Sequence, residues 1–183
     1  MKKVVKFGGS SLASAEQFMK VGAIIRADES RRYVVPSAPG KRFSDDTKVT
    51  DMLYHCYELA EQSKAFNKQL NQIKDRYNEI INGLKLDFSL DEDFEIIKKQ
   101  FVAKAGSMYA ASRGEYLNGK IMAKYLGYEF VDAANVIRFD KDGSFDSETT
   151  NELLATYLDK IERAVIPGFY GAMKNGTVVT FSR

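Results

Sequence analysis

Lys6-Phe7-Gly8-Gly9-Ser10-Ser11 sets one cation beside two residues without side chains and two hydroxyls, directly ahead of a helical pattern. Such a run suits phosphate. Glycines let backbone N–H groups approach an anion closely, the following helix contributes its positive end, and a lysine can neutralise charge on a phosphoryl in transfer. For a bare Gly-Gly pair the plainer reading, a strand-to-helix turn with a solvated lysine, has precedence. Two familiar nucleotide loops do not fit. A Walker A loop on Gly40-Lys41 has Arg42 where Ser or Thr is required and Val35 where the upstream glycine belongs. A dinucleotide fingerprint at Gly8-Gly9-Ser10 lacks its later glycines.

Other reactive-looking residues have plainer explanations. His55 and Cys56 are consecutive in a helical pattern and so point in different directions, which argues against a nucleophile and base. Asp91-Glu92-Asp93 suits the start of a helix through the dipole, not a metal. Asp140-Lys141-Asp142-Gly143-Ser144 resembles a calcium loop only in part, because Asn151 stands where the bidentate Glu is needed; a turn is the expectation.

The elements that must position the first motif read as strand, glycine turn, helix. Lys2 to Phe7 forms a short strand ended by Gly8 and Gly9. Ser14 and Gln17 stand in capping-box spacing, and Phe18, Val21, Ile24 and Ile25 then mark one helical face. Arg32 to Val35 is a second strand, stopped by Pro36-Ser37-Ala38-Pro39-Gly40. Val49 to Leu84 carries two helices broken near Ser63, and Asn82-Gly83 ends them. Asp91 to Ala105 is amphipathic with Phe94, Ile97, Phe101 and Val102 inward, and a further helix from Ser107 to Leu126 ends at Gly127. Tyr128 to Val131 returns to strand. Ser147 opens a helix through about Ile161, and Ala164 to Ile166 and Thr177 to Phe181 are strands flanking Gly168-Phe169-Tyr170-Gly171. Strands separated by helices predict a three-layer α/β/α sandwich with a mostly parallel central sheet, whose ligands gather beyond the carboxyl ends of the strands.

With 183 residues the chain is long enough for one well-buried domain or a large piece of a bigger one. Hydrophobic residues are 44% and charged residues 28%, with no long apolar run, so a globular fold is expected and neither disorder nor a membrane span is. The 27 basic and 25 acidic side chains are interspersed, which gives no reason to invoke nucleic acid or a membrane surface. The single Cys56 and the absence of a secretory h-region point to a reducing cytoplasm.

Four segments together resemble one family. Lys6-Phe7-Gly8-Gly9-Ser10-Ser11 is similar to the Lys-Phe-Gly-Gly-Thr/Ser-Ser signature of aspartate kinases, members of the amino acid kinase family. Ser37-Ala38-Pro39-Gly40 with Val49-Thr50-Asp51-Met52-Leu53 resembles its second strand-end loop and helix start. Ser112-Arg113-Gly114-Glu115 resembles its Ser-x-Gly-Glu motif. Pro167-Gly168-Phe169-Tyr170-Gly171, followed by Val178 to Arg183, resembles its Gly-Phe-x-Gly segment and the start of Gly-Arg-Gly-Gly-Ser-Asp, with Ser182 where that pattern has Gly. The four occur in the family's order and span the chain.

The resemblance implies transfer of the ATP γ-phosphoryl to the β-carboxylate of L-aspartate, giving 4-phospho-L-aspartate, with Mg²⁺ on the nucleotide. This is the first step toward lysine, threonine and methionine. It further implies that Lys6 bridges the transferred phosphate and the attacking carboxylate, and that Gly8, Gly9 and Ser10 bind the ATP phosphates. Thr50 and Glu115 would hold the amino-acid end of the substrate, Glu115 on the α-ammonium; Arg183 would pair with the α-carboxylate, and Ser37 and Phe169 would line the pocket. The physical match is independent of the resemblance: a substrate with one ammonium and two carboxylates needs an anion, a cation and hydroxyls. Residues 1–183 would then be the amino-terminal portion of an amino acid kinase domain, incomplete at the carboxyl end and without an ACT regulatory domain. The catalytic Asp, a second lysine and the base pocket would lie beyond Arg183, leaving these residues inactive alone, and a tryptic-type cut would account for the arginine end. The intact enzyme is expected to be a cytoplasmic homo-oligomer. Two other readings stand beside this one: another amino acid kinase, such as a glutamate or carbamate kinase, and a module that binds an amino acid or anion without chemistry.

Overall fold

The computed structural model describes residues 1–182. Strand β1 (Lys3–Phe7) leads through a 3-10 turn (Gly9–Leu12) into helix α1 (Ala15–Arg26), followed by β2 (Arg31–Pro36). Four helices come next: α2 (Val49–Glu61), α3 (Asn67–Gly83), α4 (Asp91–Val102) and α5 (Ser107–Leu126). The remainder alternates in short pieces: β3 (Glu129–Phe130), α6 (Ala133–Val136), β4 (Arg138–Phe139), β5 (Phe145–Asp146), α7 (Ser147–Asp159), β6 (Ala164–Val165), β7 (Tyr170–Met173) and β8 (Val178–Thr180).

The main sheet has the order β1-β2-β6-β3 and every pairing in it is parallel. Its two faces are read from alternate residues, as the two-residue period of a strand requires. Val34 and Val165 face a core built with α1 to α5, including Phe18, Ile25, Leu53, Ile73, Tyr77, Phe101 and Leu117. Tyr33 and Ala164 face the opposite way, into a smaller core with Ala133, Val136 and Tyr170 against which Leu154 and Leu158 of α7 pack. The sandwich expected from the strand and helix order is therefore present, with a thick layer of five helices and a thin layer around α6 and α7.

Local signals explain where the helices start and stop. The Ser14 hydroxyl accepts from the Gln17 N–H at 3.3 Å and closes the start of α1. Ser63, with φ of 58°, breaks the long helical run between α2 and α3, and Gly127, with φ of 72°, ends α5 in the left-handed conformation that favours glycine. At α7 the cap is Asp146, whose carboxylate accepts from the Thr149 N–H at 3.0 Å, so the helix is opened one residue before Ser147.

Three expectations differ from the structure. Ile24 and Val102 are 49% and 67% exposed. The buried stripe of α1 runs through Phe18, Val21, Gly22 and Ile25, and Gly22 takes the inward place because the Tyr125 ring lies against it. Val102 is the last residue of α4, past the inward row Phe94, Ile97 and Phe101. The third difference is a second sheet, β5-β4-β7-β8, with one parallel and two antiparallel pairings. Asp140 to Ser144 forms its β4–β5 turn: Asp140 N–H donates to Ser144 O at 2.8 Å, and Asp142 accepts from the Ser144 N–H and hydroxyl. Among the described residues no helix is long and apolar enough to cross a membrane.

Candidate active site

Three parallel strands end side by side, and the loops leaving them form one mouth. β1 runs into Gly8-Gly9, β2 into Ser37 to Gly40, and β6 into Pro167 to Phe169. Backbone bonds stitch these exits together: Ser37 N–H donates to Phe7 O at 3.1 Å, Gly40 N–H to Gly9 O at 2.8 Å, and Gly168 N–H to Pro36 O at 3.3 Å. Helix α5 closes the floor. Its small residues permit a close approach, since a Cβ on Gly114 would come within 2.8 Å of the Ala38 Cβ and one on Gly119 within 2.8 Å of the Pro167 ring. Asn118 Nδ2 donates to Ser37 O at 2.6 Å and Tyr77 Oη to Gly114 O at 2.8 Å, fixing the turn that carries Glu115.

The result is a cleft of about 570 Å³ lined by Lys6, Gly9, Ser10, Ser37, Thr50, Glu115 and Phe169, with Ala38, Pro39, Gly40, Lys41, Lys48 and Gly168 completing the wall. Seven of the residues singled out in the sequence thus meet in one place. Gly8 stands just outside the lining, where its carbonyl accepts from Ser11 N–H at 3.1 Å. Arg183 lies outside the described residues. The reading from sequence missed Lys41 and Lys48; their only signal was their position flanking the loop between Gly40 and Val49.

Glycine is required at one contact in particular. A Cβ on Gly40 would lie 2.7 Å from Gly9 C and 2.8 Å from Ser10 N, both backbone atoms that cannot swing away. Gly40→Ala is expected to destabilise the chain by about 1–3 kcal/mol, as overpacking against fixed atoms does. Thermal or urea melting of the purified chain checks this, and an unchanged midpoint would show that the two loops are free to separate. Phe169 is a second strained point. Its φ of 75° is unusual for a bulky residue, and its carbonyl is held by Phe181 N–H at 2.8 Å.

The cleft lining carries charges of both signs. Lys6, Lys41 and Lys48 supply three cations to the lining, Lys41 Nζ donating to Ser44 O of its own loop at 3.1 Å, and no ion pair among the described residues involves any of them. Glu115, only 5% exposed, supplies an acid to the floor. Burial pushes the Tyr77 phenol well above its ordinary range and the Glu115 charge adds to that, so Tyr77 acts here as a neutral donor. Cys56 is fully buried, and burial pushes its thiol up to about 12, which keeps it protonated at neutral pH. A cleft of this kind can hold a polyanion along its lysines and bare backbone while receiving a cationic group at its acid.

The model of the amino acid kinase family matches residues 1–182. Aspartokinase 3 of Bacillus subtilis is 36% identical over 195 residues, an alignment covering 99% of this chain and 43% of that protein. The aspartate kinase of Clostridium acetobutylicum superposes with a TM-score of 0.96 at 50% identity, over 100% of this chain and 42% of the other. Escherichia coli aspartokinase III, solved with aspartate and ADP, superposes at 0.81 with 21% identity, a likeness of fold. The chain thus spans less than half the length of these relatives. With the strand-end motifs meeting at one mouth and the family model running from the first residue to the last described one, this chain belongs to the amino acid kinase family.

Proposed function

We propose that residues 1–183 are the amino-terminal portion of the kinase domain of an aspartate kinase, which transfers the ATP γ-phosphoryl to the β-carboxylate of L-aspartate. The observation that carries this reading is the meeting of Lys6 and Glu115 in one cleft, whose lining holds three lysines and one buried acid. The close likeness to aspartate kinases of two bacteria supports the choice of substrate.

In this reading the acceptor needs no general base, because an aspartate side chain with an ordinary pKa of about 4 is already ionised at neutral pH. The obstacle is repulsion between two anions. Lys6 lies between the transferred phosphoryl and the attacking carboxylate, and its charge offsets that repulsion most in the transition state. The backbone N–H groups at Gly8 and Gly9 and the Ser10 hydroxyl hold the nucleotide phosphates; Gly9 and Gly40 let the two loops that present these groups pack closely, since a Cβ on either would come within 3.0 Å of the other loop's backbone. Mg²⁺ on the nucleotide would supply further charge neutralisation. Glu115 receives the α-ammonium of aspartate, the Thr50 and Ser37 hydroxyls and the Phe169 ring shape the pocket, and Arg183 pairs with the α-carboxylate. Fixing both reactants this way converts a collision into a reaction within one complex.

The chain spans less than half the length of the aspartate kinases it matches, and on this reading residues 1–183 by themselves are expected to release no ADP. The enzyme works in the cytoplasm as a homo-oligomer, a setting that suits one buried, unpaired thiol. ADP release by the full-length protein, measured with L-aspartate, L-glutamate and carbamate in turn, tests the assignment. Aspartate is expected to exceed the others in kcat/KM by at least about a hundredfold, the range open to a site built on charge and hydrogen bonds. Comparable rates with glutamate or carbamate would move the protein to another branch of the family. Tight aspartate binding without ADP release would make it a binding module.

A further inference from the structure

The segment Lys41 to Lys48 leaves the cleft wall at Gly40 and returns to it at the start of α2. Both feet of this loop are held by one side chain that lies outside the cleft. Arg76, from α3, donates through Nη2 to Gly40 O at 3.0 Å, and through Nη1 to Thr47 O at 3.2 Å and to the Asp46 carboxylate at 3.0 Å. The Arg76 side chain is 6% exposed and the Asp46 side chain 8%. On the outer side Arg42 repeats the grip: its backbone N–H and Nε donate to Asp46 Oδ2 at 2.9 Å each, and Nη1 reaches Glu79 at 2.7 Å. The Asp46 carboxyl is held well below its ordinary range, by the Arg42 hydrogen bond first and with Arg76 among the smaller causes. Its contribution to the loop is therefore complete above an ordinary carboxylate pKa of about 4 and fades only as the pH falls below that.

The consequence lies one residue further along at each foot. Lys41 follows the clamped Gly40 and Lys48 follows the clamped Thr47, and both lysines line the cleft with Lys6. A long lysine on a free loop of this length would lose much of its effect to disorder, whereas a lysine anchored next to a fixed carbonyl meets an anion at lower entropic cost. Behind the loop lies a separate hollow of about 550 Å³, whose wall is formed by Arg42, Asp46, Arg76 and Glu79. The clamp therefore works from outside the reacting cleft.

We propose that Lys41 and Lys48 form a second cationic grip on the polyphosphate of the nucleotide, and that Arg76 is the positioning residue that holds the two lysines in register. The proposal deepens the kinase reading, on which it rests for the nucleotide. The grip itself concerns any polyphosphate and is measured separately.

Calorimetric titration of the full-length protein with inorganic tripolyphosphate reads the grip without any chemistry. The double variant Lys41→Ala, Lys48→Ala is expected to weaken tripolyphosphate at least about tenfold. Arg76→Ala is expected to lose a similar factor although it touches no ligand. Adding Arg76→Ala to the double variant is then expected to lose little more, because lysines already removed cannot be misplaced. Where turnover is present, the same variants raise the KM for MgATP and leave the KM for aspartate within about twofold. Arg42→Ala, which loosens the loop from its solvent side, replaces Arg76→Ala should the latter not fold. Unchanged tripolyphosphate affinity in the lysine double variant would overturn the grip. Fully additive losses would overturn the role of Arg76. If the wild type binds tripolyphosphate but never turns over aspartate, the kinase reading fails while the grip stands.

Discussion

Lys6→Ala in the full-length protein lowers kcat by at least about a thousandfold, at the upper end of what removal of one transition-state donor costs. Lys6 contributes little to the fold. It is exposed, takes part in no ion pair among the described residues, and sits in a strand whose place is set by backbone pairing with β2, where Lys6 is partner to Val35. Nothing in the core depends on its amine, so melting of the variant should match that of the parent. Its charge instead lines the cleft beside Gly9 and Ser10, where, in the proposed reaction, charge would shift between leaving and attacking oxygens. Arginine is not an adequate substitute, because its planar fork and greater bulk cannot take the place of a compact ammonium between two reacting groups. Steady-state kinetics with each substrate varied checks this. Turnover within tenfold of the parent would remove Lys6 from the reacting atoms.

Glu115→Gln is the second large effect, and it falls on a different parameter. The substitution keeps shape and volume and removes only the charge. A buried carboxylate facing a substrate ammonium is worth about 2–3 kcal/mol, or roughly a hundredfold in binding. The KM for aspartate should therefore rise by about that factor, with the KM for MgATP little changed. This split distinguishes a substrate contact from a structural acid, whose loss would harm both substrates and the melting point together. Its setting favours the first: Glu115 lies on the turn fixed by Tyr77 and Asn118, at the floor of the cleft. An aspartate KM that does not move would place the α-ammonium elsewhere.

Much of the architecture could be read from the residues, for identifiable reasons. The strand ends were marked by glycine and proline clusters, the breaks by Ser63 and Gly127, and the start of α1 by Ser14. The second sheet was not legible, because two-residue strands such as β4 and β5 are too short to show alternation. Ile24 misled because one helical position separates it from the inward Ile25, and Gly22, which gives no hydrophobic signal, occupies the inward row in its place.

The site shows the same pattern. Lys6, Gly9, Ser10, Ser37, Thr50, Glu115 and Phe169 were named from their motifs and meet in the cleft. Lys41 and Lys48 lie in a loop of mixed charge, where nothing local separates a cleft-facing lysine from a solvated one. Arg76 did leave a trace. It shares the buried row of α3 with Ile73, Tyr77 and Ile80, a place where an arginine needs fixed acceptors. Which acceptors they were, Gly40, Thr47 and Asp46, depends on a loop some 30 residues earlier that only the fold brings near.

The most direct measurement is chemical trapping of the product. The full-length protein is incubated with MgATP, L-aspartate and hydroxylamine, which converts an acyl phosphate to a stable hydroxamate. Aspartyl hydroxamate is expected to form in step with ADP, only when both substrates are present, and to be abolished with Lys6→Ala. ADP released at the same rate without aspartate, or with aspartate but without hydroxamate, would contradict the proposed reaction.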